Sequence, residues 1–193
     1  MLIASDFEVA QPAERVWKFF DDIPAVATCL PGAELTEDLG DDKYLGRVAI
    51  RMGPVKLSFT GTANITERDD SARRIVVDAA GADEKGRGNA SMLVAASLQP
   101  MGPALTKVAV TQKLQLSGAA AQYGRGMISD VTSVLLHDFA QNLQSRIDAV
   151  ERGESSVSSA SAASGLAIGL RAMRMALLRV VRRFFYPYQP SAT

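Results

Sequence analysis

The feature that most constrains this chain is a long amphipathic segment late in the sequence, over residues 119–151. At 100° per residue, Ile128, Val131, Leu135, Phe139, Leu143 and Ile147 recur at spacings of three and four, while Ser129, Ser133, His137 and Gln144 lie off that stripe. Ser117 and Gly118 before it and Gly153 after it are start and stop signals. The spacing predicts a helix of roughly 45 to 50 Å with one face that needs burial. That is longer than packing in a small domain requires, so something wide must wrap it.

The rest of the body reads as that wrapping. Ile3, Ser5, Phe7 and Val9 alternate with Ala4, Asp6, Glu8 and Ala10, the period-two pattern of a strand with one buried face. Pro12 opens a helix with Val16, Trp17, Phe19 and Phe20 on its apolar side. A short second helix is expected over 24–29, before Leu30-Pro31-Gly32 turns the chain. Residues 33–116 read as about six strands separated by turn chemistry. Tyr44, Gly46, Val48, Ile50 and Met52 share one face. After Gly53-Pro54 so do Leu57, Phe59, Gly61, Ala63 and Ile65, with Lys56, Ser58, Thr60, Thr62, Asn64 and Thr66 opposite. Ile75, Val77 and Ala79, then Met92, Val94, Ala96 and Leu98, then Val108, Val110, Leu114 and Leu116 continue the pattern. Turns are expected at 68–71 and 81–88 and a loop at 99–103. Consecutive strands with one apolar face and a long final helix make an antiparallel meander curled around that helix, an α+β helix-grip architecture.

A strongly curved sheet cannot touch a straight helix along its whole length, so a cavity between them is expected. Its candidate lining is Trp17, Phe20, Leu57, Phe59, Tyr123, Met127, Val131 and Leu135. Two readings stand at this point: these side chains enclose a ligand, or they fill the interior themselves. An apolar cavity would take a lipophilic molecule by burial, at about 25 cal/mol per Å², with the Tyr123 hydroxyl as the expected polar contact. Gly124 and Gly126 each cost about 1 kcal/mol relative to Ala in a helix. They mark either a close approach by backbone or ligand, or tight packing in the first turn.

Chemistry of other kinds finds little support. A single cysteine and a single histidine build neither a disulfide nor a Cys/His zinc site, so no metal is expected. His137 falls on the solvent side of the long helix, where no nucleophilic triad can assemble around it. Cys29 reads as a small buried hydrophobe. The acidic pairs Asp21-Asp22, Asp41-Asp42, Asp69-Asp70 and Asp83-Glu84 all fall at expected turns and read as solvated charges. Gly86-Arg87-Gly88 lacks the rest of a dinucleotide fingerprint and reads as a turn. The protein is therefore expected not to be an enzyme.

Charge divides the chain. Residues 1–154 hold 16 Lys and Arg against 21 Asp and Glu, whereas residues 155–193 hold five Arg and no acid. An acidic body does not suit nucleic acid; a basic tail suits an anionic surface. The organisation expected is a ligand-binding domain over 1–151, a Ser-rich linker over 152–164 and an amphipathic tail over 165–193. In the tail Leu166, Leu170, Met173, Leu177, Val180, Val181 and Phe184 form a stripe, with Arg171, Arg179, Arg182 and Arg183 on the other side and Arg174 at its edge. With Phe185, Tyr186 and Tyr188 at the boundary, this segment is too charged to cross a bilayer and apolar enough to rest at its interface. Docking of the same stripe on a protein is the alternative. No basic region followed by an apolar run opens the sequence, so no signal peptide is expected, and the cytoplasm is the compartment to which a lone cysteine points.

Phe7, Val9, Pro12, Val16, Trp17, Asp22, the run Cys29-Leu30-Pro31-Gly32-Ala33-Glu34, Gly53-Pro54, Phe59 with Gly61, Gly86-Arg87-Gly88, and Ser117-Gly118 followed by Ala121-Gln122-Tyr123-Gly124 together resemble the CoxG family of aerobic carbon monoxide dehydrogenase gene clusters. That family lies in the START-like, SRPBCC (Bet v 1-like) superfamily. The resemblance covers residues 1 to about 150; Tyr123 departs from it, standing where Phe is more usual. It implies a partner, a molybdenum-containing CO dehydrogenase or related hydroxylase that must pass electrons to the respiratory membrane. It also implies a ligand, an isoprenoid quinone such as menaquinone. The expected role is a peripheral protein on the cytoplasmic face of the membrane that recruits the dehydrogenase and delivers quinone for reduction. A maturation factor for the dehydrogenase, or a START-like enzyme on a lipophilic substrate, are the alternatives.

Overall fold

Seven strands form one antiparallel sheet in the order β1-β7-β6-β5-β4-β3-β2, in a computed structural model that describes residues 1–52 and 55–152. The strands are β1 (Leu2–Val9), β2 (Ala33–Gly40), β3 (Lys43–Met52), β4 (Val55–Asp69), β5 (Arg74–Asp83), β6 (Asn89–Gly102) and β7 (Leu105–Leu116). Helices α1 (Ala13–Phe19) and α2 (Ile23–Cys29) join β1 to β2, and α3 (Arg125–Glu151) follows the sheet. The helix-grip architecture expected from the alternation is the one observed. Gly53-Pro54, the linker beyond Arg152 and the whole arginine-lined tail lie outside the described residues.

Local chemistry sets most boundaries. Pro12 precedes α1 as its cap, and the Asp22 carboxylate accepts from the Ala25 backbone N–H at 2.9 Å to cap α2. Asp41 and Asp42 both adopt positive φ (50° and 58°) between the paired residues Gly40 and Lys43, the twist a two-residue hairpin turn demands. Two expectations are corrected. Helix α3 starts at Arg125, because 118–122 winds as a 3-10 segment; its 27 residues span about 40 Å. Residues 99–102 are not a loop, since β6 runs on to Gly102, and a register shift between Pro100 and Gly102 absorbs the proline that cannot donate to the ladder. Likewise β4 reaches Asp69 and β5 reaches Asp83, shortening the turns expected there.

The interior is packed at both ends. Val9, Val16, Phe20, Cys29, Leu98, Val108, Leu143 and Ile147 form the main core, where α1, α2 and the C-terminal half of α3 meet β1, β6 and β7. A smaller cluster of Leu57, Phe59, Ala120 and Ile128 closes the other end, under the start of α3. The far end of α3 is tied down by Gln11. Its side-chain amide donates to Asp148 (2.8 Å) and Glu151 (2.9 Å), its side-chain oxygen accepts from Arg15 (2.7 Å), and its backbone carbonyl accepts from the buried Thr106 hydroxyl (2.7 Å).

Candidate functional site: an apolar cavity between the two cores

Following the paired residues across the sheet shows why a space opens between the two ends. One inward-facing row reads Leu116, Ala90, Gly81, Gly61, Gly46, Leu35, and the next reads Leu114, Met92, Ala79, Ala63, Tyr44. Across β3 to β6 these rows are mostly glycine and alanine, so the sheet supplies little side-chain volume where the helix stands furthest away. The glycines are also a geometric requirement. A Cβ on Gly61 would sit 1.9 Å from the Ala80 carbonyl oxygen, and one on Gly46 would sit 2.9 Å from that of Glu34. The strands press together there in a bend that only glycine allows.

The resulting cavity has a volume of about 500 Å³, and its wall is overwhelmingly apolar. Ile128, Val131, Leu135, Leu136 and Phe139 of α3 form one side; Ile23, Val26 and Leu30 of α2 form another. Val131, Leu135, Leu136 and Phe139 are only half-buried although they face inward, because space and not protein lies against them. Deletion series in other cores make the general point that an apolar void of this kind stays dry and admits apolar guests. The interior is therefore not filled by its own side chains.

Five of the eight residues expected to line it, Phe20, Leu57, Phe59, Val131 and Leu135, do so. Three do not. The Trp17 indole N–H donates to Asp70 at 2.9 Å, and its ring packs edge-on against Phe20 outside the cavity wall. Met127 is 44% exposed, since it sits about 100° round the helix from the buried Ile128. Tyr123 precedes α3 and packs beside the smaller cluster, within electrostatic reach of Arg87. Gly124 and Gly126 approach nothing, as a Cβ at either would meet open space. The sheet's contribution was legible as alternation. The missing signal was the small-residue rows, which appear only once the strands are laid side by side.

Next to the cavity a polar seam fixes the start of α3. Asp83, expected to be a solvated turn charge, is instead the buried last residue of β5. Its carboxylate accepts from Arg87 Nε (2.8 Å) and Nη2 (2.7 Å) and from the backbone N–H groups of Ser58 (3.2 Å) and Lys85 (3.0 Å). The Arg87 guanidinium, first among these, holds that carboxyl well below the usual carboxylate range. Gly88 and Gly118 touch across the seam: a Cβ on Gly88 would lie 2.0 Å from the Ser117 carbonyl oxygen, and one on Gly118 would lie 2.3 Å from that of Arg87. Ala119 N–H donates to the Arg87 carbonyl at 2.6 Å. The Gly-Arg-Gly turn is thus a structural joint.

Nucleophilic chemistry is not assembled around the cavity. His137 is exposed and contacts Gln141 on the outer side of α3, at 3.0 Å. Cys29 is fully buried, and burial pushes its thiol up to about 11, so it stays protonated. Among the described residues no cluster of His, Cys, Asp and Glu could hold a metal, and no helix is long and apolar enough to cross a membrane.

Comparison with solved structures agrees with the fold. A conserved protein from Geobacillus kaustophilus is 23% identical with a TM-score of 0.69, over 77% of this chain and 95% of that one. The ZhuI aromatase/cyclase from Streptomyces sp. R1128 is 16% identical with a TM-score of 0.58, over 81% and 99%. A START superfamily protein from Mycobacterium smegmatis is 16% identical with a TM-score of 0.53, over 77% and 98%. No curated protein matches the chain. The family model for the carbon monoxide dehydrogenase G subunit (CoxG) matches residues 6–148, the span that contains the sheet, the cavity and nearly all of α3, and the chain belongs to that CoxG family.

Proposed function

We propose that this protein is a non-enzymatic accessory to an aerobic molybdenum-containing CO dehydrogenase, or a related hydroxylase. In this reading it brings the enzyme to the cytoplasmic face of the membrane and carries a lipophilic respiratory quinone, menaquinone by preference, in its cavity for reduction. The observation that carries the reading is the dry cavity of about 500 Å³ between two packed ends. Its volume suits a ring with part of an isoprenoid chain, and its wall offers burial as the driving force. Family membership supports the enzyme partner, and the basic amphipathic tail sequence supports the membrane.

Solvent extraction of protein purified from cells with quinone-containing membranes, followed by mass spectrometry, tests the ligand. A near-stoichiometric isoprenoid quinone is expected. An empty extract from protein that still binds the dehydrogenase would leave recruitment or maturation as the function. A different lipophilic compound that returns chemically altered would turn the assignment to a START-like enzyme.

A further inference from the structure

The inward-facing positions of β7 are Val108, Val110, Gln112, Leu114 and Leu116, so one carboxamide interrupts an apolar row. Gln112 pairs with Ile3 of β1 and Val94 of β6, and Val94 pairs in turn with Val77. Its neighbours on the inner face are therefore hydrocarbon on every side. It lines the cavity, is half-buried, and its carboxamide has no hydrogen-bond partner among the described residues. A carboxamide carries two donors and an acceptor oxygen, and leaving them unmet in an apolar setting is a cost that leucine at the same position would not incur.

Other polar residues on the wall are accounted for. The Thr132 hydroxyl donates to the Ile128 carbonyl at 2.9 Å. Thr62, Ser91 and Arg47 belong to the outward set of their strands, where Arg47 lies 3.7 Å from Glu84. Tyr44 stands near the β2–β3 turn, within electrostatic reach of Asp38, Asp42 and Arg68. Gln112 is left as the polar group aimed into the space from the central part of the sheet.

We propose that Gln112 is the specificity-determining residue of the cavity, hydrogen-bonding the carbonyl or hydroxyl oxygen of an otherwise apolar ligand whose hydrocarbon lies along the glycine and alanine rows. The carboxamide donates to a carbonyl or accepts from a hydroxyl, so it reads the presence of an oxygen function at that depth. This rests on the cavity being a ligand site. It replaces the Tyr123 hydroxyl as the polar contact.

The test titrates the full chain with 2-decyl-1,4-naphthoquinone and with 2-decylnaphthalene, in the wild type and in Q112L, with Q112M as the second variant should Q112L lose its near-ultraviolet circular dichroism. The ratio of the two dissociation constants cancels the partition of each probe out of water. That ratio is expected to shift against the quinone by about threefold to tenfold in the variant, the worth of one net hydrogen bond, with the hydrocarbon bound at least as tightly as before. If both probes bind and the ratio does not move, Gln112 does not read the ligand and the proposal fails alone. If the folded wild type binds neither probe, the cavity is not a lipophilic site and both readings fail together.

Discussion

Asp83 and its neighbours carry the sharpest consequences at the scale of single residues. Its carboxyl is held below the usual carboxylate range chiefly by the Arg87 side chain, with backbone N–H groups of Arg87, Ser58 and Lys85 assisting and burial opposing. A carboxylate depressed in the folded state contributes stability that is complete above the unfolded value, about pH 4, and is lost as the pH falls from there toward the folded value. D83N should therefore melt at a lower temperature than the wild type at pH 7. The gap should narrow as the pH drops from about 4 to 2, followed by thermal unfolding at a series of pH values. A gap that stays constant would show that this carboxylate does not contribute through its charge. G88A is expected to cost about 2 kcal/mol or more, because Gly88 has φ +146° and its Cβ would meet the Ser117 carbonyl; chemical denaturation measures it. The sequence around Asp83 carried the glycines of this joint but not its burial. An acid beside Glu84 and just ahead of Gly86 looks like any exposed turn until Ser58 is brought to it from the neighbouring strand and Arg87 folds back onto it.

At the scale of elements, the alternation on β3, β4, β5 and β6 was readable because a sheet with one wet face imposes period two. The cavity was harder to read, because it depends on what stands beside what. Gly46, Gly61 and Gly81 come from three different strands, 15 to 35 residues apart, and act as one row only after the register is set. Gln112 had a local signal, a polar residue between Val110 and Leu114 on the inward phase of β7, yet a single break in a period is easily passed over. Trp17 and Met127 show the opposite error, in which an apolar residue near the right face turns out to be a rotation away from it. If the small-residue rows create the space, enlarging one member should abolish it without harming the fold. A79F is expected to weaken binding of the naphthoquinone probe at least tenfold while leaving the melting temperature unchanged or raised, since the new ring enters a void and not a packed core. A large loss of stability, read by the same thermal melt, would mean that the interior has no room to spare.

For the whole molecule, charge is the organising quantity. The body is net acidic and the last 39 residues carry five arginines and no acid. Each arginine near an anionic leaflet is worth about 1 kcal/mol, and an apolar stripe adds burial, so the full chain should co-sediment with vesicles of phosphatidylglycerol and phosphatidylcholine. Removing residues 155–193 should abolish that, and raising salt should weaken it. Unchanged sedimentation after the deletion would place membrane affinity, if any, on the acidic body and end the case for the tail. The same truncated chain should still bind the naphthoquinone probe, because every residue of the cavity wall lies between Phe7 and Phe139.

The hollow is bracketed, with Leu143, Val16 and Val108 at one end and Leu57, Phe59 and Ile128 at the other. Neither bracket needs a guest to hold its shape, because each is closed by its own hydrocarbon. Such a container survives being emptied. Loading and unloading cost only what the cargo itself gains or loses, and a courier built this way can return vacant for the next trip.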